Sequence, residues 1–174
     1  MTYTHAINLR YVRIDNFATW AIALRETGGR KKYTHVGAIT DPDASGVRFE
    51  YGARHRVDGA LSDKPGVQYR PLDYATFKYQ ALVSIPVTEH EHYLFWGALK
   101  AVEGWPYSDR TILGFVTGHN FDDRHGFICD AVDLWGLRHA GMLPKELHGD
   151  IRMMDPMDSF YLALGIRDNR KVGT

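Results

Sequence analysis

The sequence predicts an α+β domain in which an antiparallel sheet packs against a helix that carries the only cysteine. Short segments that favour strands, separated by turn residues, fill much of 34–87. Segments with the apolar spacing of helices precede and follow them. No linker, internal repeat or low-complexity segment divides the 174 residues, so one domain is expected over 1–174.

A helix and a hairpin are predicted for the first part of the chain. Apolar residues recur at helical spacing from 17 to 24, and Gly28 provides a C-terminal stop. The strand-favouring stretches "YTHVGAIT" and "VRFEYGAR" flank "DPDASG", whose residues are typical of a turn. They predict a β-hairpin formed by 34–40 and 47–53.

Two further strands and a capped helix follow the hairpin. Strands are expected in "VQYRPL" and "ALVSIPV", with Pro86 at a strand end or edge. Thr88 and Glu91 match a capping box, which predicts the start of a helix that ends by Gly104.

The C-terminal part of the chain is predicted to be helical. "SDRTILGFV" predicts a short helix, and "ICDAVDLWGLRHA" predicts a helix that stops at Gly141. Asp155 as the cap and Pro156 at the first helical position begin the last helix.

The composition is that of an ordinary globular protein, with 44% apolar and 24% charged residues. Since 21 basic residues balance 21 acidic ones, no excess of positive charge indicates a nucleic-acid partner. No run of 18 apolar residues predicts a membrane span, and residues 1–15 lack the apolar segment of a signal peptide. One cysteine excludes an internal disulfide and a zinc site of several cysteines.

Cys129 lies at the predicted start of its helix, and this position suggests chemistry. Backbone N–H groups at a helix N-terminus carry partial positive charge, which stabilises a thiolate and a developing oxyanion. A cysteine nucleophile needs both effects and a base that holds a proton. The alternative is that Cys129 is a small buried hydrophobic residue, as many free cysteines are.

His35 is the candidate base among nine histidines, because it begins an apolar predicted strand. If Thr40 pairs with Val47, Gly37 faces Glu50, and His35 and Glu50 become diagonal neighbours on one face of the hairpin. Glu50 could then orient the imidazole, whereas a slip of one residue would put it on the other face. The alternatives are a half-exposed strand histidine and a solvated carboxylate.

Five segments resemble, in order, the circularly permuted, YiiX-like branch of the NlpC-type papain-fold cysteine peptidases and amidases. They are "WAIALRETGGRKKYTHVGAI", "VRFEYGAR", "GVQYRPLDYATF", "EGWPYSD" and "GFICDAVDLWGLRHAGMLP", and they span roughly residues 14 to 145. In this branch the histidine strand precedes the cysteine helix, as it does in this chain. The resemblance implies a papain-like fold and a hydrolase that uses no cofactor and no metal.

The resemblance also implies roles for individual residues. Cys129 is the implied nucleophile, His35 the general base and Glu50 the orienting acid. Tyr107 resembles an aromatic residue of the family that lines the substrate cleft. Trp105 belongs to the same "GWPY" turn, where we expect exposed rings on the substrate side.

One departure from the family pattern follows the cysteine. The family often reads Cys-Ser-Glu, whereas this chain reads Cys129-Asp130-Ala131. An inward-pointing Asp130 would oppose thiolate formation. We therefore expect Asp130 to point outward and to interact with the helix N-terminus.

The activity implied by the resemblance is cleavage of an amide in a short peptide through an acyl-enzyme. A peptidoglycan stem peptide is the first candidate substrate, and an amidase or acyl-thioesterase acting on another acyl group is the alternative. The missing signal-peptide pattern fits a cytoplasmic enzyme or one delivered by a phage or by cell contact. The sequence predicts neither a nucleic-acid nor a membrane partner, and it does not define the oligomeric state.

Two other classes of function stay open. The segments "TEHEHY" and "GHNFDDRH" hold histidines and carboxylates that could bind a divalent metal. In the first segment, however, His90 and His92 are two residues apart on a predicted helix and therefore point apart. The other alternative is a non-catalytic peptide- or glycan-binding module, with the "GWPY" turn in its cleft. For either class, the segment "ARHRVDGALSDKPG" is long enough to form a lid over the site.

Overall fold

The computed structural model describes residues 2–13, 32–54, 65–108, 111, 126–143, 147 and 154–171. These residues form five strands and three helices: β1 (His5–Val12), β2 (His35–Ile39), β3 (Phe49–Arg54), β4 (Gly66–Pro71), β5 (Gln80–Val87), α1 (Glu89–Ala101), α2 (Cys129–His139) and α3 (Pro156–Lys171). The predicted α+β class is therefore confirmed. The predicted helix at 16–28 lies outside the described residues, as do most of "SDRTILGFV" and of the suggested lid.

The strands form one antiparallel sheet in the order β4-β3-β2-β1-β5. Strand β1 is an interior strand of this sheet, and our sequence analysis did not predict it. The signal was present, since buried Ile7, Leu9 and Tyr11 alternate with Asn8 and Arg10. Pro86 lies near the end of the edge strand β5, as expected.

The predicted hairpin is confirmed, but its register differs from the prediction by two residues. Ile39, not Gly37, is opposite Glu50. The turn is longer than expected because the Asp43 carboxylate accepts hydrogen bonds from the backbone N–H groups of Ser45 and Val47, which keeps Val47 out of the strand. Because side chains alternate with a period of two, this shift leaves His35 and Glu50 on the same face.

One face of the sheet packs against the helices and forms the core. The Tyr51 hydroxyl donates to the Leu99 carbonyl of α1 at 2.7 Å, and the Tyr11 hydroxyl donates to the Ser159 carbonyl of α3 at 3.1 Å. Helix α2 packs closely on α1, because a Cβ at Gly136 would lie only 2.3 Å from Leu99 Cδ1. Val36 of β2 belongs to this helix-covered face.

The predicted helix ends are confirmed where they are described. Thr88 and Glu91 form both hydrogen bonds of the capping box of α1. Gly141 follows α2 with a left-handed φ of 70°, and the Asp155 carboxylate accepts two backbone N–H bonds at the start of α3. None of the helices in the described part of the chain is long and apolar enough to cross a membrane.

Candidate active site

The sheet face opposite the helices carries a buried layer of charged residues. Arg10 of β1 pairs with Gly37 of β2, and Glu50 of β3 pairs with Arg70 of β4. His35 lies two residues before Gly37 and therefore points to the same face. The side chains of Arg10, His35, Glu50 and Arg70 are all buried. This layer contains two of the three residues that we expect in a catalytic triad.

His35 and Glu50 form a direct hydrogen bond in this layer. Nε2 of His35 lies 3.0 Å from Oε1 of Glu50, and the two residues are only 4% and 1% exposed. A carboxylate can only accept hydrogen bonds, so Nε2 carries the proton. The neutral imidazole then keeps Nδ1 available to accept a proton, which is the state that a general base requires.

Glu50 is held as a carboxylate by two further partners. Nε of Arg10 donates to Oε2 at 2.7 Å, and the Tyr74 hydroxyl donates to Oε1 at 2.7 Å. Burial raises the pKa of Glu50, but the hydrogen bond to His35, the charge of Arg10 and the Tyr74 hydrogen bond together lower it to about 2. Glu50 is therefore ionised at neutral pH and can stabilise a positive charge on His35.

Burial also determines the charge of His35. Desolvation lowers the pKa of the imidazole, and the hydrogen bond to Glu50 opposes this effect. The charges of Arg54 and Arg70 lower the pKa further. His35 is accordingly neutral at physiological pH.

Cys129 is the first residue of α2 and approaches β2 from the helix-covered face. The N-cap residue, Ile128, has no side chain that can cap the helix, which leaves the N-terminal N–H groups of α2 without a side-chain cap bond. The thiol lies close enough to the backbone of Val36, the neighbour of His35, for that backbone to lower its pKa. In the described part of the chain, no hydrogen bond joins Cys129 to His35. The structure thus pairs His35 with Glu50 but does not pair the imidazole with the thiol.

The expectation for Asp130 is wrong. Asp130 is fully buried, and its Oδ1 lies 3.8 Å from Cys129 Sγ. Burial and the charge of Asp130, with a smaller effect of Asp133, raise the pKa of the thiol well above its ordinary value. Hydrogen bonds to the backbone of Val36 and Asp130 oppose this shift without reversing it. The side chain points inward because α2 packs its first turn against the sheet, and the resting thiol is protonated.

The sequence analysis missed three residues of this region. Arg10 escaped notice because β1 was not predicted, and Tyr74 because it lies in an irregular segment after β4. Asp133 is fully buried, and its pKa is raised well above the ordinary value by burial and by Glu50 and Asp130. Its position one turn after Cys129 was the available signal, since i and i+4 share a helix face.

The two predicted substrate-side aromatics lie next to the chain that leads into α2. Tyr107 forms an isolated parallel bridge with Phe127, and the ring centroids of Trp105 and Phe127 are 5.5 Å apart. The Trp105 carbonyl accepts from the Val67 N–H at 2.9 Å, which fixes the turn to β4. Both rings are half-buried against the core, so the expectation that they are exposed is wrong. A role beside a substrate stays a prediction.

The first candidate metal segment is occupied by other interactions. His90 is exposed, His92 Nε2 accepts from the Trp96 indole at 3.0 Å, and Glu91 caps α1 and pairs with Arg170. Among the described residues, no group of three or more His, Cys, Asp or Glu side chains is arranged to hold a metal. The segment "GHNFDDRH" lies outside the described residues.

Comparison of the chain with protein-family models and with curated proteins finds no match in either set. The site is therefore defined by its own geometry.

Proposed function

We propose that this protein is a cysteine hydrolase of the permuted papain-like type. The observation that carries the proposal is the buried His35–Glu50 hydrogen bond of 3.0 Å at the start of β2. Cys129, at the N-terminus of α2, lies near the backbone of the next residue, Val36, which lowers the pKa of the thiol. An ionised carboxylate, a neutral imidazole and a cysteine at a helix N-terminus are the parts of a thiol hydrolase.

The proposed reaction begins with a protonated thiol. His35 Nδ1 accepts the thiol proton, and the Cys129 sulfur attacks the substrate carbonyl to form a tetrahedral intermediate. The N–H groups at the start of α2 stabilise its oxyanion. Collapse of the intermediate breaks the amide bond, His35 returns the proton to the leaving amine, and water then hydrolyses the thioester. Glu50 stabilises the imidazolium throughout.

The thiol and the imidazole must come closer for this reaction to occur. Catalytic hydrogen bonds are often long in a free enzyme and shorten when substrate binds. Both groups lie at the same end of β2, but Cys129 lies near the Val36 backbone on the helix-covered face and the His35 side chain belongs to the opposite face. Their approach therefore has to take place around the end of this strand. Substrate binding that displaces Cys129 from Asp130 would lower the thiol pKa and free the thiol for His35.

The proposed substrate is a short peptide, with a peptidoglycan stem peptide first. Tyr107 and Trp105 support this choice, because their turn adjoins the segment that leads to Cys129. The test is hydrolysis of purified stem peptides, which is measured by the release of new amino groups. We expect activity in the wild type and in His90→Ala, a control in an exposed histidine. We expect none in Cys129→Ala or His35→Ala, and retained activity in either would remove the assignment.

A second candidate function is a non-catalytic peptide- or glycan-binding module. The surroundings of Cys129 favour it, because burial and Asp130 raise the pKa of the thiol. The rate of alkylation of Cys129 against pH, in the wild type and in His35→Ala, separates the two functions when it is measured with and without stem peptide. In a hydrolase, stem peptide should acylate Cys129 and so slow its alkylation at pH 6, and this slowing should be smaller in His35→Ala. A binding module should retain a thiol pKa at or above the ordinary value of about 8.5 in both proteins.

A further inference from the structure

Gly37 occupies the position that Glu50 must cross to reach His35. Glu50 is opposite Ile39 in the hairpin, and Ile39 lies four residues beyond His35 on β2. The carboxylate nevertheless meets the imidazole at 3.0 Å. Its side chain therefore runs along the sheet face over the position between the two, which is Gly37.

The space above Gly37 is filled by the Glu50 side chain. A Cβ at Gly37 would lie 2.5 Å from Cγ, 2.8 Å from Cδ and 3.0 Å from Oε1 of Glu50. Cβ atoms essentially never lie closer than 3.0 Å to such a heavy atom, so with a side chain at position 37 either Glu50 or the strand would have to move. The φ angle of Gly37 is not positive. Position 37 thus requires glycine because the Glu50 side chain fills the space of a Cβ, and not because of its backbone conformation.

The same open position serves the second partner of Glu50. Arg10 is directly opposite Gly37 across the β1–β2 pair. Its guanidinium reaches Glu50 from the other side of β2, with Nε 2.7 Å from Oε2. A single missing side chain therefore lets residues from β1, β2 and β3 meet at one carboxylate.

We propose that Gly37 is a positioning residue that directs the Glu50 carboxylate onto His35 and so fixes the imidazole with its proton on Nε2. The consequence for catalysis rests on the proposed function, whereas the consequence for the imidazole does not. Any side chain at position 37 displaces Glu50 and breaks the hydrogen bond to His35. His35 then loses its fixed tautomer.

The chain offers a matched control at Gly52. This residue is also buried, lies on β3 and faces the same side of the sheet as Glu50. A Cβ at Gly52 would lie 3.4 Å from Val36 O, 3.5 Å from Gly37 Cα and 4.0 Å from His35 Cε1, which are all ordinary contacts. Alanine at 52 thus tests the loss of a strand glycine without the collision with Glu50.

The test is 15N NMR of the histidine ring nitrogens, with the His35 signals assigned by their loss in His35→Ala. The wild type and Gly52→Ala should both show His35 with its proton on Nε2. Gly37→Ala should show a mixture of tautomers or a shifted pKa of His35. His35 signals in Gly37→Ala that match the wild type would overturn the proposal.

A urea-unfolding cycle with Glu50→Ala covers the case in which Gly37→Ala does not fold. Gly37→Ala should lower the unfolding midpoint in the wild-type background and have little effect when Glu50 is alanine. An equal loss in both backgrounds would show that the methyl group collides with something other than Glu50, which overturns the proposal. Because neither measurement uses catalysis, an absence of peptide hydrolysis in the wild type would refute the proposed function and leave the role of Gly37 intact.

Discussion

Replacement of Arg10 by methionine tests how strongly the buried carboxylate depends on its cation. Methionine retains much of the apolar stem of arginine but removes the guanidinium. That group donates to Glu50 at 2.7 Å and to the Leu72 carbonyl at 2.7 Å, and it lies 4.7 Å from the centroid of the Phe77 ring. The variant leaves a carboxylate that is 1% exposed without its only ion-pair partner among arginines and lysines of the described residues.

Two arguments set the scale for the loss of stability. The pKa of Glu50 is about 2 in the folded protein against a reference of 4.5, and each pKa unit corresponds to about 1.4 kcal/mol. His35, Arg10 and Tyr74 together therefore contribute about 3 kcal/mol at neutral pH beyond the cost of burial, and Arg10 accounts for part of this sum. Removal of one partner from a buried ion pair costs about 3–5 kcal/mol. We expect Arg10→Met to lose about 3 kcal/mol of a total stability of about 5–15 kcal/mol.

The loss should depend on pH with a definite sign. Folding lowers the pKa of Glu50, so the stabilisation is present above pH 4.5 and is lost as the pH falls towards 2. A protonated carboxyl group has little need of a guanidinium. The stability gap between wild type and Arg10→Met should therefore be largest at pH 7 and should shrink at pH 3.

Urea unfolding followed by the fluorescence of the four tryptophans measures this gap at both pH values. Arg170→Met is the matched control, because Arg170 also pairs with a glutamate, Glu91, at 2.7 Å. Folding also lowers the pKa of Glu91 to about 2, chiefly through its hydrogen bond to Arg170. Both side chains of that pair are about 15% exposed, however, so solvent screens their interaction, and its loss should cost only about 1 kcal/mol. A change of less than 1 kcal/mol for Arg10→Met at pH 7, or a gap that is the same at pH 3, would refute this reasoning.

Three further substitutions test the surroundings of the cysteine helix. Asp130→Asn removes the charge beside the thiol, so iodoacetamide should modify Cys129 faster than in the wild type at pH 7. An unchanged rate would mean that this charge does not keep the thiol protonated. Burial raises the pKa of Asp133, so the stabilising contribution of this side chain is present below pH 3.8 and is lost as the pH rises. In urea unfolding, the stability of Asp133→Asn relative to the wild type should therefore increase from pH 4 to pH 8, and a constant difference would contradict this. Gly136→Ala places a methyl group 2.3 Å from a side chain of α1 and should lower the stability by about 1–3 kcal/mol, whereas the control Gly97→Ala, with no atom within 4 Å, should raise it by about 1 kcal/mol. Thermal unfolding compares the two variants, and equal effects would refute the steric argument.

Local patterns in the sequence predicted the elements whose ends are set by local chemistry. The capping box at Thr88 and Glu91, the glycine stop at Gly141 and the Asp155 cap depend on residues within one helical turn of each other. The hairpin was predicted for the same reason, because turn residues separate two strand-favouring stretches. The register of the hairpin was not predicted, since the Asp43 carboxylate lengthens the turn and the pattern of strand residues does not reveal the length of the turn.

The candidate site was predictable only in the part that lies within the hairpin. His35 and Glu50 are 15 residues apart, and face alternation brings them together under either register. Arg10 is 40 residues from Glu50 and joins it only because β1 lies beside β2 in the sheet. A contact of this kind depends on strand order, which local sequence does not specify.

The direction of Asp130 shows why the state of the thiol could not be predicted from the sequence. A carboxylate in the first turn of an exposed helix would point to solvent and favour the N-terminal dipole. Helix α2 is instead buried along its first turn, so Asp130 has no route to solvent and interacts with the thiol. Burial of His35 itself lowers the pKa of the imidazole, so His35 is neutral while the Cys129 thiol is protonated. Under the proposed function, the thiol would have to leave Asp130 and come within reach of His35 before reaction.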